Sequence, residues 1–128
     1  MKDKVGFSFS ARARSFGYAW KGIKTLISNE HNARIHLFAT VCVVIAGVLL
    51  GLSVIEWAVV AICIGGVFMA EALNSAVEAL CDKVSPEYDP LIGKAKDMAA
   101  GAVLLFVCGA AVAGLCVFVP KLLALSSS

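Results

Sequence analysis

Three long stretches without an acidic or basic interior constrain this 128-residue chain more than any other feature. Residues 35–52 carry no charged side chain other than His36, residues 57–70 carry none, and residues 98–119 carry none. A helix over 35–52, about 18 residues at 1.5 Å each, spans roughly 27 Å, enough to cross the hydrocarbon of a bilayer. Composition agrees: 60% of residues are apolar and 16% charged, with a mean hydropathy of +0.89. A small soluble domain needs more polar surface than that, and a disordered chain is excluded by the same figures. The expectation is a single all-α, membrane-embedded domain over 1–128.

Its internal divisions follow from charge and helix breakers. Residues 1–29 form a polar head with Phe16, Trp20, Ile23 and Ile27 recurring at helical spacing beside Arg12, Arg14, Lys21 and Lys24, which suits an amphipathic helix lying in the membrane interface. No continuous apolar run opens the chain, so no secretory signal is read there. The spans are expected at 35–52, 54–84 and 93–119. Gly51, Leu52 and Ser53 leave a connection so short that the first two spans form an antiparallel hairpin. Pro86 and Pro90 mark a loop, and Pro120 with Lys121 closes the last span.

Cation placement sets the orientation. Seven of the eleven Lys and Arg residues lie at or before Arg34, three more are Lys83, Lys94 and Lys96, and only Lys121 falls at the other end. The positive-inside rule then places the N-terminus and the 83–97 loop in the cytoplasm and the C-terminus outside. The five cysteines, Cys42, Cys63, Cys81, Cys108 and Cys116, form no CxxC pair and read as apolar packing residues, not as disulfides or a zinc site.

Polar chemistry gathers at the cytoplasmic end of the second span. At 100° per residue, Glu71, Asn74, Ser75, Glu78 and Asp82 share one narrow face. Glu71 lies about a turn inside the boundary, and Glu78 about 10 Å further out. Acidic groups at that depth are costly and mark function; the rival reading is a polar seam between helices, which one Asn or Ser would satisfy. Glu30, Glu78 and Asp97 lie at levels from which they can converge near Lys96. Carboxylates beside a lysine suit Mg²⁺ and phosphates. On spacing alone, Glu30 reads equally as a ligand or as a helix cap. No Walker motif and no protein-kinase motif set is present, neither histidine has a partner at metal-ligand spacing, and nothing calls for nucleic acid. Small residues in the last span allow close helix approach, and three helices enclose little space, so an oligomer is expected.

The run Glu71, Asn74, Ser75, Glu78, Asp82 and Lys83, followed by Ala95, Lys96 and Asp97, resembles the signature of the small prokaryotic diacylglycerol kinase family. Tyr18, Trp20, Lys21 and Gly22, and then Glu30, Arg34 and His36, resemble its head region, so the likeness covers about residues 14–121. It implies a homotrimer of three-span subunits in the bacterial plasma (inner) membrane, with sites shared between neighbours. It also implies transfer of the ATP γ-phosphate to a lipid hydroxyl at the cytoplasmic face. By resemblance, Glu71 is the general base and Glu30 and Glu78 hold Mg²⁺, with Asn74 beside them. Tyr18, Asn74, Glu87, Tyr88, Lys96 and Asp97 fall on nucleotide positions. The lipid side falls to Arg14, Trp20 and Lys21 together with Glu71, the basic position before the head motif being either Arg12 or Arg14.

Two departures bear on the acceptor. Asp89 follows Tyr88 where the diacylglycerol kinase branch has His, and Ile92, Gly93 and Lys94 replace Ser-Gly-Arg. The stretch Asn32, Arg34, Ile35, His36 and the loop Asp89, Pro90, Leu91 look more like the branch containing undecaprenol kinases. The acceptor is therefore diacylglycerol or undecaprenol. The alternative from another class is a small oligomeric ion- or proton-conducting protein with Glu71 and Glu78 lining a pore. A structural membrane subunit without chemistry is the third. A pore would spread polar groups along the whole span, whereas here they stop at Glu71.

Overall fold

The computed structural model describes residues 6–128, all helical apart from short connections. Four helices follow one another: α1 (Phe9–Asn29), α2 (His31–Leu50), α3 (Val54–Val84) and α4 (Pro90–Ser126). The last three are long and apolar enough to cross a membrane. At 1.5 Å per residue α3 is about 46 Å long and α4 about 55 Å, both longer than the roughly 30 Å of hydrocarbon. Their polar ends therefore project beyond it.

Each connection has a local cause. Ser8 opens α1 by accepting a hydrogen bond from the Ala11 amide at 3.3 Å. Glu30 alone separates α1 from α2: its extended backbone, φ −106° and ψ 118°, breaks the helix while its amide still donates to Leu26 O at 3.0 Å. Arg34 reinforces this joint. Its Nε donates to Ile27 O at 2.9 Å and its Nη2 to Ser28 O, satisfying carbonyls that the end of α1 would leave unpaired. Polar residues 31–34 are thus helical, and α2 starts at His31, a turn before the apolar span at 35–52. Ala33, fully buried, anchors that turn.

Gly51 ends α2 in the left-handed region, at φ +70°, which a side chain would strain. Ser53 and Glu56 then form a capping box on α3: the Glu56 amide donates to Ser53 Oγ at 3.2 Å, and the Ser53 amide donates to Glu56 Oε1 at 2.9 Å. Asp89 caps α4 through the amides of Leu91 and Ile92, and Pro90 occupies the first helical position, where its missing N–H costs nothing.

The end of α4 differs from the sequence expectation. Pro120 does not close the helix, which continues to Ser126. Proline removes one ladder bond, and in a membrane helix neighbouring groups make up for it. Here the next residue is held from outside its own helix. Lys121 Nζ lies 3.1 Å from Glu56 Oε1 and donates to Gly51 O at 3.3 Å. One side chain thus ties α4 to both halves of the α2–α3 hairpin.

Packing rests on two close approaches and one small cluster. Leu52, Val60 and Val117 are buried together, with Val43, Trp57 and Phe118 against them. The Trp57 ring lies on Gly47, where a Cβ would come within 2.7 Å of it. The Phe106 ring of α4 lies directly on Gly66 of α3, leaving no room for a methyl group. Outward from these contacts the apolar side chains face away from the protein, Leu105 being 78% exposed, as a chain solvated by lipid permits. Gly66→Ala is therefore expected to destabilise the α3–α4 pair by about 1–3 kcal/mol through overpacking. Reversible denaturation in mixed detergent micelles checks this; an unchanged midpoint would show that Phe106 moves aside freely.

Candidate functional site

The polar face of α3 lies where the helices leave the apolar zone. Glu71 is the only charged residue among those described that is buried, at 2% exposure. Burying a carboxylate is costly unless it is paired, and its partner comes from α2: His36 Nε2 lies 3.3 Å from Glu71 Oε1. Thr40, a turn along α2, donates its hydroxyl to His36 O at 2.7 Å.

One turn on, Asn74 Nδ2 donates to Glu78 Oε1 at a long 3.4 Å. The opposite atom, Asn74 Oδ1, and the neighbouring Ser75 Oγ are buried with no hydrogen-bond partner among the described residues. An unpaired buried oxygen costs about 1–3 kcal/mol, so these two are poised to take a donor or a cation. Beside them runs a groove of about 890 Å³ between α1 and α3, lined by Gly22, Leu26 and Glu30 on one side and by Met69, Ala72 and Ser75 on the other. Glu30 thus shares a groove with Ser75, whose neighbour Asn74 is bonded to Glu78.

Lys96 enters from the first turns of α4, and its Nζ meets Asp82 Oδ1 at 3.0 Å. The sequence sets Lys96 among Glu30, Glu78 and Asp97. In the structure Asp82 is the carboxylate it touches, and Asp97 is exposed. Glu87 and Tyr88 are exposed in the α3–α4 connection. Ser85 Oγ donates to Glu87 O at 2.8 Å, and the Tyr88 ring packs on Gly93. On α1, Arg14, Tyr18, Trp20 and Lys21 are all exposed, with Lys21 Nζ 5.9 Å from the centre of the Tyr18 ring. These four do not touch the Glu71 cluster.

As a donor set, Glu30, Glu78, Asn74 Oδ1 and Ser75 Oγ are all hard oxygens. No cluster of three or more His, Cys, Asp or Glu side chains suited to a metal occurs among the described residues. Hard oxygens are the donors Mg²⁺ prefers, binding through one or two carboxylates and filling its shell with water and substrate phosphate. Sequence reasoning left two contacts out: the His36–Glu71 pair and the Asp82–Lys96 pair. The available signal for the first was a lone titratable ring opening an otherwise apolar span.

Residues 17–118 match the family model described as prokaryotic diacylglycerol kinase. The chain is 41% identical over 109 residues to an undecaprenol kinase of Bacillus subtilis, covering 85% of this chain and 89% of that protein. It is 43% identical over 112 residues to a diacylglycerol kinase of Synechocystis, covering 87% of this chain and 64% of the longer relative. A diacylglycerol kinase of Escherichia coli is 33% identical over 99 residues, with 77% of this chain and 81% of that one aligned.

Proposed function

The chain belongs to the prokaryotic diacylglycerol kinase family, and from that membership we propose that it is an integral-membrane kinase moving the ATP γ-phosphate onto a lipid hydroxyl at the cytoplasmic face. The observation that carries this reading is a carboxylate, Glu71, buried at the edge of the apolar zone. It is followed one turn on by buried oxygens of Asn74 and Ser75, unpartnered among the described residues, Ser75 lining a groove that also holds Glu30. A conducting pore is disfavoured by the uncharged run 57–70.

The reaction follows from these groups. The lipid alcohol oxygen bonds to the γ-phosphorus as the β–γ bridging oxygen leaves with ADP. Such a transfer is loose and needs positioning and charge neutralisation more than covalent help. The alcohol proton passes to Glu71, a base needed only as the new bond forms. Lys96 exchanges its contact with Asp82 for a phosphate oxygen and offsets charge there. Glu30 and Glu78, with Asn74, would hold Mg²⁺, which when bound neutralises and orients the triphosphate. Tyr18, Glu87, Tyr88 and Asp97 take the nucleotide side. Arg14, Trp20 and Lys21 on α1 meet the lipid surface, where basic side chains favour anionic headgroups.

A homotrimer with sites shared between neighbours completes the proposal. Open small residues on α4 support close approach of neighbouring copies: Gly101, Gly109 and Gly114 have no neighbour against them among the described residues of the chain. In this reading the N-terminus and the 83–97 loop face the cytoplasm of the bacterial inner membrane and the C-terminus lies outside, an orientation that the placement of the cations supports.

The deciding experiment offers purified protein in lipid labelled Mg-ATP with diacylglycerol and, side by side, with undecaprenol. Label transfer to a lipid alcohol is expected, with little phosphate release in its absence. Equal release with and without lipid would overturn the kinase reading. The better of the two acceptors names the substrate, a question on which the relatives' names divide.

A further inference from the structure

We propose that His36 is a positioning residue for the reaction: its Nε2–H donates to Glu71 Oε1 and leaves Oε2 as the oxygen open to the lipid hydroxyl. The chemistry rests on the kinase reading above; the pairing rests on geometry alone. The two atoms are 3.3 Å apart, with side-chain exposures of 21% for His36 and 3% for Glu71. Among the described residues, no other side chain makes an ion pair or hydrogen bond to Glu71.

The surroundings explain why one donor suffices to orient the carboxylate. His36 also opens onto a cavity of about 430 Å³ between α2, α3 and α4, walled by apolar residues such as Val43, Val67 and Val107. Thr40 shares that cavity, but its hydroxyl is committed to His36 O. On Glu71's own helix face, the Asn74 amide is committed to Glu78 and the Ser75 hydroxyl makes no bond among the described residues, so the imidazole decides which oxygen is engaged. An imidazole suits the task better than a lysine. It donates through a fixed planar ring and need not be charged to do so, whereas an ammonium would hold the carboxylate as an ion pair and blunt it as a base. Because the ring touches the base and not the nucleotide groups, its loss acts on turnover. Misplacing a reacting group by about 1 Å can cost roughly 100-fold in rate.

The test uses the full chain in lipid micelles with Mg-ATP and the acceptor that the wild type phosphorylates. His36→Ala is expected to lower kcat about 10- to 100-fold with KM for Mg-ATP within about twofold. His36→Gln, whose amide nitrogen reaches the place of Nε2, should restore kcat to within about fivefold of wild type. Should the Ala variant fail to fold, His36→Leu fills the space without a donor and replaces it in the comparison. Equal losses in the Gln variant and the variant without a donor, unchanged kcat in the latter, or a parallel rise in KM for Mg-ATP would overturn the proposal. A second measurement separates this pairing from the kinase reading. In ¹⁵N-histidine-labelled protein, the Nε2 resonance of His36 should move on Glu71→Leu. A resonance that stays put removes the pair, whereas a wild type inert towards both lipid alcohols removes the kinase reading.

Discussion

Glu71→Gln is expected to lower lipid phosphorylation about 100- to 10,000-fold, the range that a positioned general base contributes. The substitution is close to isosteric. It keeps an acceptor oxygen for the His36 Nε2–H, 3.3 Å away in the native protein, so the helices have no reason to shift. It also removes a buried carboxylate, which by itself relieves a desolvation cost. What disappears is the ability to accept the proton of the attacking hydroxyl. Nucleotide affinity, measured directly by equilibrium binding of Mg-ATP or a non-hydrolysable analogue, should stay within about twofold, because the groups proposed for the nucleotide, on α1 and around the α3–α4 connection, do not include Glu71. A variant that retains phosphorylation would remove Glu71 as the base. One that loses nucleotide binding in proportion would recast it as part of that subsite.

Glu78→Ala and Glu30→Ala should act on the metal instead. Loss of an outer partner of a metal ligand alone typically costs 10- to 100-fold in metal affinity, so loss of a ligand should raise the Mg²⁺ concentration for half-maximal turnover at least ~10-fold. The two changes differ in their structural side effects. Glu78→Ala leaves Asn74 Nδ2 without its acceptor, beside two oxygens already unpaired. Glu30→Ala touches no side-chain cap, since the Glu30 carboxylate makes no capping bond to α2, and Arg34 holds the joint through the carbonyls of Ile27 and Ser28. Turnover titrated with Mg²⁺ at fixed ATP reads both. An unaltered requirement in either variant would move that ligand elsewhere.

The spans were legible because charge is binary in a membrane: a run with none, such as 57–70, has one comfortable environment. The face shared by Glu71, Asn74 and Glu78 was legible for the same kind of reason, since helical periodicity fixes neighbours within one helix. Contacts between helices were not. The polar neighbours of His36 at helical spacing in α2, Asn32 and Thr40, do not disclose its partner, which depends on how α2 leans on α3, something neither helix's own pattern encodes. Lys96 shows a related limit. Several carboxylates lie at its level, and the structure selects Asp82 by reach across the α3–α4 connection, not by charge. Pro120 reads as a stop because local rules count the lost backbone bond, whereas the tether holding the following turn, Lys121 to Glu56 and Gly51, comes from residues far away in the chain.

The connection between α1 and α2 is one residue long, and that residue is Glu30. A single pair of torsions therefore sets the angle between the head and the first span, and the acidic side chain is mounted on the pivot itself. Any change in the angle between α1 and α2 swings this carboxyl group with it, so the proposed metal site inherits its geometry from the posture of the head.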